Sequence, residues 1–106
     1  MDLEFTDEQE ELRATVRGVL AKECPPALVR EVVENGIGAE RLWSRMVDLD
    51  WPALTIGEDQ GGLGFGFVEL AVVVEELGRA IAPGPFVATV SQFVPAVREA
   101  GTAAQR

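Results

Sequence analysis

The chain predicts an all-α domain, an irregular bundle of about five helices, on three observations. Apolar residues recur at three- and four-residue spacing in successive segments. A helix-start motif stands near the front of the chain, and Pro- and Gly-rich breaks fall between the periodic segments. One chain of 106 residues is enough for one domain with one core.

Thr6-Asp7-Glu8-Gln9 has the form of a capping box: the Thr6 hydroxyl accepts from an orphan amide while Gln9 reaches back. Leu12, Val16, Val19 and Leu20 then form one stripe, and Asp7, Glu8, Glu10 and Glu11 suit the positive end of this first helix. Pro25 and Pro26 stop it and can begin the next, because first-turn residues need no intrahelical donor. Leu28, Val29, Val32 and Val33 mark a short second helix ended by Asn35-Gly36. A third covers Ala39 to Leu49, with Leu42, Trp43, Met46 and Val47 as its packing face and Trp43 as a core anchor.

Asp50 to Gly66 holds Gly57, Gly61, Gly62, Gly64 and Gly66 and reads as a tight connection rather than a helix. A phosphate-binding loop at Gly61-Gly62-Leu63-Gly64 is the weaker reading, since no Gly-Lys-Ser or Gly-Lys-Thr ending follows and no buried strand precedes. Phe67 to Ile81 is strongly periodic, with Leu70, Val73, Val74, Leu77 and Ile81 on one side. Ala71 and Val72 widen that arc, which implies contact on more than one face. Gly78 costs about 1 kcal/mol against alanine in a helix interior, so it marks either the helix end or a close backbone approach. Ala82-Pro83-Gly84-Pro85 breaks the chain before Phe86, Val87, Val90, Phe93, Val94 and Val97 resume the pattern to Glu99. A strand over Phe86 to Val90 competes through the β-branched Val87, Thr89 and Val90, but helical spacing and Ala88, Gln92 and Ala96 favour helix. Pro95 should bend or interrupt this fifth helix. Gly101-Thr102 reads as a stop and a new start, so the domain, residues 1–106, is expected to be incomplete at its C-terminal end.

Composition excludes several functions. Nine basic and eighteen acidic residues leave a net charge of −9, which repels phosphate backbones and argues against nucleic acid as a partner. Histidine is absent, which removes Ser-His-Asp and Cys-His catalysis from this chain. Cys24 is the one cysteine, so no internal disulfide forms, and a cytoplasmic setting is expected. Met1-Asp2-Leu3-Glu4 is acidic, unlike a signal peptide. The apolar run Leu70 to Val74 is far short of the roughly 20 residues a membrane span requires.

The order of motifs resembles the N-terminal helical domain of the acyl-CoA dehydrogenases. Phe5-Thr6-Asp7-Glu8-Gln9-Glu10-Glu11-Leu12-Arg13 is similar to that family's F-T-x-E-Q-x-x-L-R. Leu42-Trp43 through Leu49-Asp50-Trp51 is similar to L-W-x-x-x-x-x-L-G-W, with Asp50 in the glycine place. Pro52 to Glu58 is similar to a segment ending in Pro-Glu, with Gly57 in the proline place. Glu58-Asp59-Gln60-Gly61-Gly62-Leu63-Gly64 and Glu75-Glu76-Leu77-Gly78-Arg79 are similar to E-x-x-G-G-L-G and E-E-L-G-R.

The resemblance implies a larger flavoenzyme in which this helical domain is followed by a β-barrel and a second helical domain. FAD lies between the latter two, and an acyl-CoA thioester is oxidised across its α,β bond. An electron-transfer partner and homo- or hetero-oligomeric subunits are also implied. No segment resembles the central or C-terminal motifs, so catalytic, cofactor-binding and metal-binding residues are assigned to none of this chain, and FAD is not expected to bind it strongly alone. Glu75 and Glu76 are read as solvent-facing or helix-pairing. By resemblance, Phe86, Val87, Ala88, Val90 and Ser91 are the candidates for a wall of the acyl pocket, with core or interdomain packing as the competing role. The expected function is an N-terminal piece of an acyl-CoA dehydrogenase, inactive alone. The alternative is a non-catalytic helical module that associates with flavin-containing partner subunits.

Overall fold

The computed structural model describes residues 3–106. The reading of the acidic N-terminus rests partly on Met1 and Asp2, which lie outside them. Among the described residues there are five α-helices and no strand: α1 (Asp7–Glu23), α2 (Pro26–Asn35), α3 (Ala39–Asp48), α4 (Phe67–Arg79) and α5 (Val94–Ala100). Single 3₁₀ turns at Trp51–Ala53 and Glu58–Gln60 punctuate the connection before α4, and a π-helical stretch at Val87–Phe93 leads into α5. The capping box forms as expected: Gln9 N–H donates to Thr6 Oγ1 at 3.1 Å, and Thr6 N–H donates to Gln9 Oε1 at 2.9 Å.

The core joins Val16 and Leu20 of α1, Leu42 and Met46 of α3, Trp51 and Leu54 of the connection, Leu70, Val73 and Leu77 of α4, and Phe86 and Val90. Helices α1 and α4 pack side by side. Their C-terminal ends meet where the Cys24 thiol approaches the Ala80 carbonyl at 3.9 Å. The molecule measures 40 × 37 × 21 Å with a radius of gyration of 14.7 Å, above the ~13 Å of a compact chain of this size. It is therefore a slab about two helices thick, and much of each helix faces outward.

That shape explains where the predicted stripes stop short. Val33, Val47 and Ile81 were expected on packing faces, and each is exposed. Helix α2 has no fully buried residue, so Val33 at its end has no layer to pack into. Trp43 is partly buried against the core, while Val47 one turn on faces out. Two family positions acquire reasons: Asp50, in the glycine place, has φ +61°, a conformation glycine adopts freely. Gly57, in the proline place, has φ −61°, the value a proline ring fixes.

Helix α4 ends at Arg79, two residues before the expected Ile81. Gly78 therefore lies by the helix end, and a Cβ there would meet nothing within 4 Å. Ala82 N–H bonds Leu77 O at 2.9 Å and Ile81 N–H bonds Gly78 O at 3.1 Å. This paired closure puts the residue after the cap in the left-handed region, where glycine is usual. Here it is Ile81, at φ +53° and 70% exposed. A β-branched residue costs about 1–2 kcal/mol in that conformation, and its exposed side chain returns little by burial. Ile81→Gly is therefore expected to stabilise the chain by about 1 kcal/mol after the extra freedom of glycine in the unfolded state is subtracted. The melting temperature should rise by about 5 °C. A thermal melt showing no rise would contradict the strain assigned to Ile81.

Candidate functional site

The segment from Phe86 to Ala100 carries all five pocket candidates, and its geometry follows from Pro95. Proline has no N–H to offer the Ser91 carbonyl, and its ring crowds that carbonyl. The backbone widens upstream into the π-helical stretch, and Val94 N–H reaches back five residues to Thr89 O. The interruption predicted at Pro95 is thus a widened turn before it. One extra residue per turn breaks the helical register, and the expected stripe splits. Phe86 (3% exposed) and Val90 (fully buried) stay in the core, whereas Val87 and Phe93 turn outward.

The structure accordingly divides the candidates. Val87, Ala88 and Ser91 are exposed on the outer side of the widened helix, with Val87 and Ser91 one turn apart. Phe86 and Val90 lie within the core and set the position of that face. Further along, Phe93, Val94 and Val97 line a hollow of about 170 Å³ with Ile56 and Arg98. Arg98 donates to the Thr55 carbonyl at 2.8 Å, tying α5 to the connection. After α5 the chain makes a single turn in which Gln105 N–H donates to Thr102 Oγ1 at 3.3 Å and Thr102 N–H donates to Gln105 Oε1 at 2.8 Å, the reciprocal bonds of a capping box.

The glycine-rich connection does not fit a phosphate or a flavin pyrophosphate. Gly61 N–H bonds Glu58 O, Gly62 N–H bonds Gly57 O, Leu63 N–H bonds Ala53 O and Gly64 N–H bonds Ile56 O, all at 2.8–3.0 Å. Every amide that would have to face an anion is committed to the connection's own carbonyls. Gly62 is required for close approach, since a Cβ there would lie 2.2 Å from the Ile56 carbonyl oxygen.

The carboxylates of α4 are structural. Glu76 is 2% exposed and accepts from Arg17 Nε at 3.0 Å and Arg17 Nη2 at 2.7 Å, and from Arg13 Nη1 at 3.0 Å. Arg13 also donates to Glu75 at 2.7 Å, and its guanidinium sits 4.9 Å from the centre of the Phe5 ring. The hydrogen bonds from Arg17, helped by those from Arg13 and opposed by desolvation, lower the Glu76 carboxyl to about 2. A carboxylate held that tightly has little affinity for a substrate proton, and its work is to clamp α1 to α4. Burial pushes the Cys24 thiol up, away from the thiolate form. Among the described residues no group of His, Cys, Asp and Glu could hold a metal ion, and no helix is long and apolar enough to cross a membrane. The chain thus offers an apolar face bearing one hydroxyl, set on a clamped scaffold.

The family described as "Acyl-CoA dehydrogenase, N-terminal domain" matches residues 6–106. Acyl-CoA dehydrogenase IpdE2 of Mycobacterium tuberculosis is 39% identical over 85 residues, covering 78% of this chain and 27% of that protein. IpdE2 of Mycolicibacterium smegmatis is 37% identical over 87 residues, covering 80% of this chain and 28% of that protein. Among solved structures, the ChsE4-ChsE5 complex from Mycobacterium tuberculosis contains a chain similar at a TM-score of 0.84 and 28% identity. The similarity covers 99% of this chain and 27% of that one. The chain spans just over a quarter of the length of each of these relatives.

Proposed function

The chain belongs to the acyl-CoA dehydrogenase family through its N-terminal helical domain, and on that premise we propose that it acts as that domain within a cytoplasmic FAD-dependent acyl-CoA dehydrogenase. FAD, when bound to the rest of such an enzyme, supplies the hydride acceptor. This chain supplies one wall of the acyl pocket and surface that packs on the flavin-bearing domains. The observation that carries the reading is the split stripe. Val87, Ala88 and Ser91 face outward from the π-helical stretch as a short, mostly apolar face while Phe86 and Val90 anchor it from the core. An apolar wall with one hydroxyl can hold an acyl chain by burial, and a change of side-chain volume there alters which chain fits.

A chimera tests this, with the present chain replacing the matching N-terminal quarter of the Mycobacterium tuberculosis IpdE2 relative. Acyl-CoA-dependent dye reduction is expected to persist in the chimera. Ser91→Phe should lower kcat/KM for the longer or bulkier acyl groups by about tenfold, with small effects on the short ones. Equal effects on every acyl-CoA would remove the pocket assignment. Dye reduction by the isolated chain supplied with FAD and acyl-CoA would overturn the whole reading.

A second reading, a non-catalytic module that joins flavin-containing subunits, draws on the exposed Phe67, Val68, Val87 and Phe93. The similar solved chain also comes from a complex of two different proteins. Exposed aromatic and aliphatic side chains of this kind mark association surfaces. In that case the chimera would be inactive, while the free chain would bind an intact flavin-bearing subunit.

A further inference from the structure

The groove bounded by α1, the start of α2 and the end of α4 carries chemistry that neither the fold nor the acyl-wall reading uses. It is an open hollow of about 460 Å³, lined by Leu20, Val29 and Ile81 together with Arg17, Arg30 and Arg79. That size falls in the roughly 300–1,000 Å³ range of small-molecule sites. Arg17 is engaged by Glu76, but among the described residues Arg30 and Arg79 make no ion pair or side-chain hydrogen bond. The groove thus gathers two guanidinium groups with free donors beside apolar side chains, in a chain whose net charge is −9. Glu76 also lines the groove, but its carboxylate is held by Arg17 and Arg13. Apart from the Cys24 thiol the remaining lining is aliphatic, and the left-handed, solvent-exposed Ile81 belongs to it. A β-branched side chain held at conformational cost in a groove has a use that a glycine there would lack.

We propose that this groove binds an amphipathic anion, a carboxylate or phosphate head group on an apolar chain. Arg30 and Arg79 take the head group through charge-assisted hydrogen bonds, and Leu20, Val29 and Ile81 cover the chain. The inference is independent of the acyl-wall reading, since none of Val87, Ala88 and Ser91 lines this groove.

The test is an amide-shift titration of the 106-residue chain with decanoate, decyl phosphate, decylammonium and inorganic phosphate. Decanoate or decyl phosphate should bind saturably with Kd on the order of 1 mM, with the shifts centred on Val29, Arg30, Arg79 and Ile81. Whichever binds more tightly identifies the head group. Decylammonium and inorganic phosphate should each be at least about tenfold weaker, because each lacks one half of the recognition. R30E/R79E should weaken binding by at least about tenfold. Both side chains are exposed, so the fold should persist with a melting temperature lower by only a few degrees, the cost of an acidic residue in the last turn of α4. Ile81→Gly should raise the melting temperature and weaken binding several-fold, opposite signs that a merely structural residue would not give. The proposal fails if neither long-chain anion saturates, if decylammonium or inorganic phosphate binds as tightly, if R30E/R79E or Ile81→Gly leaves affinity intact, or if the shifts centre on Val87 and Phe93.

Discussion

Gly62→Ala is expected to destabilise the chain by about 3 kcal/mol, at the upper end of what overpacking costs, and to lower the melting temperature by on the order of 15 °C. The added Cβ would lie 2.2 Å from the Ile56 oxygen, 2.5 Å from its Cβ and 2.6 Å from its carbonyl carbon. Two of those three atoms are backbone, which no rotamer change can move aside. The backbone is itself held, because the Ile56 carbonyl accepts from Gly64 N–H at 2.8 Å while neighbouring bonds run from Leu63 to Ala53 and from Phe65 to Leu54. Relief of the clash therefore requires breaking bonds that close the connection over Trp51 and Leu54, both core residues. Gly61→Ala is the control. That position has φ +87° but open space around a Cβ, so its cost is the left-handed conformation alone, about 1–2 kcal/mol. Thermal and urea denaturation of the two variants should rank Gly62→Ala as clearly worse. Equal midpoints would mean that the glycines serve flexibility rather than close approach.

The contrast between these glycines shows which features local sequence can carry. Helix starts and stops were legible because they depend on neighbouring residues: Thr6 with Gln9, Pro25-Pro26, and Gly36 at φ +71°. The core side of each helix was mostly legible from its spacing, through Val16, Leu20, Leu42, Met46, Leu70, Val73 and Leu77. The exposure of Val33, Val47 and Ile81 was not legible, because periodicity says which residues share a face but not whether a second layer covers it. In a slab about two helices thick, several such faces stay uncovered. The split of the candidate wall was hidden for a different reason. Pro95 announced an interruption, but not its form, a widened turn upstream beyond which Phe93 no longer shares the buried face of Phe86 and Val90. Motif order supplied the family, while the composition of Glu75-Glu76 alone could not say which carboxylate would be buried.

Glu76 should supply the largest single electrostatic contribution to the fold, and acid should remove it. Its carboxyl is lowered from the ordinary 4.5 to about 2, chiefly by the two hydrogen bonds from Arg17, and then by Arg13, against the opposing cost of desolvation. The unfolded chain therefore takes up the proton more readily than the folded one. The stabilisation is complete above about pH 4.5 and is lost as the pH falls from there through about 2. The size of the shift corresponds to about 3 kcal/mol, a large share of the roughly 5–15 kcal/mol that holds a typical domain together. Glu76→Gln keeps the shape, removes the charge, and leaves Arg13, whose side chain is only 13% exposed, with the exposed Glu75 as its closest remaining carboxylate. The half-exposed Arg17 retains water as a partner, so the loss should stay near the lower end of the ~3–5 kcal/mol seen when a buried pair is broken. Urea unfolding of both proteins at pH 6 and pH 3.5 separates charge from packing. The gap between them should narrow by roughly 1 kcal/mol at the lower pH, because part of the wild-type advantage has already been titrated away. A gap of the same size at both values would assign the effect of Glu76 to shape, and the clamp between α1 and α4 would then be steric rather than ionic.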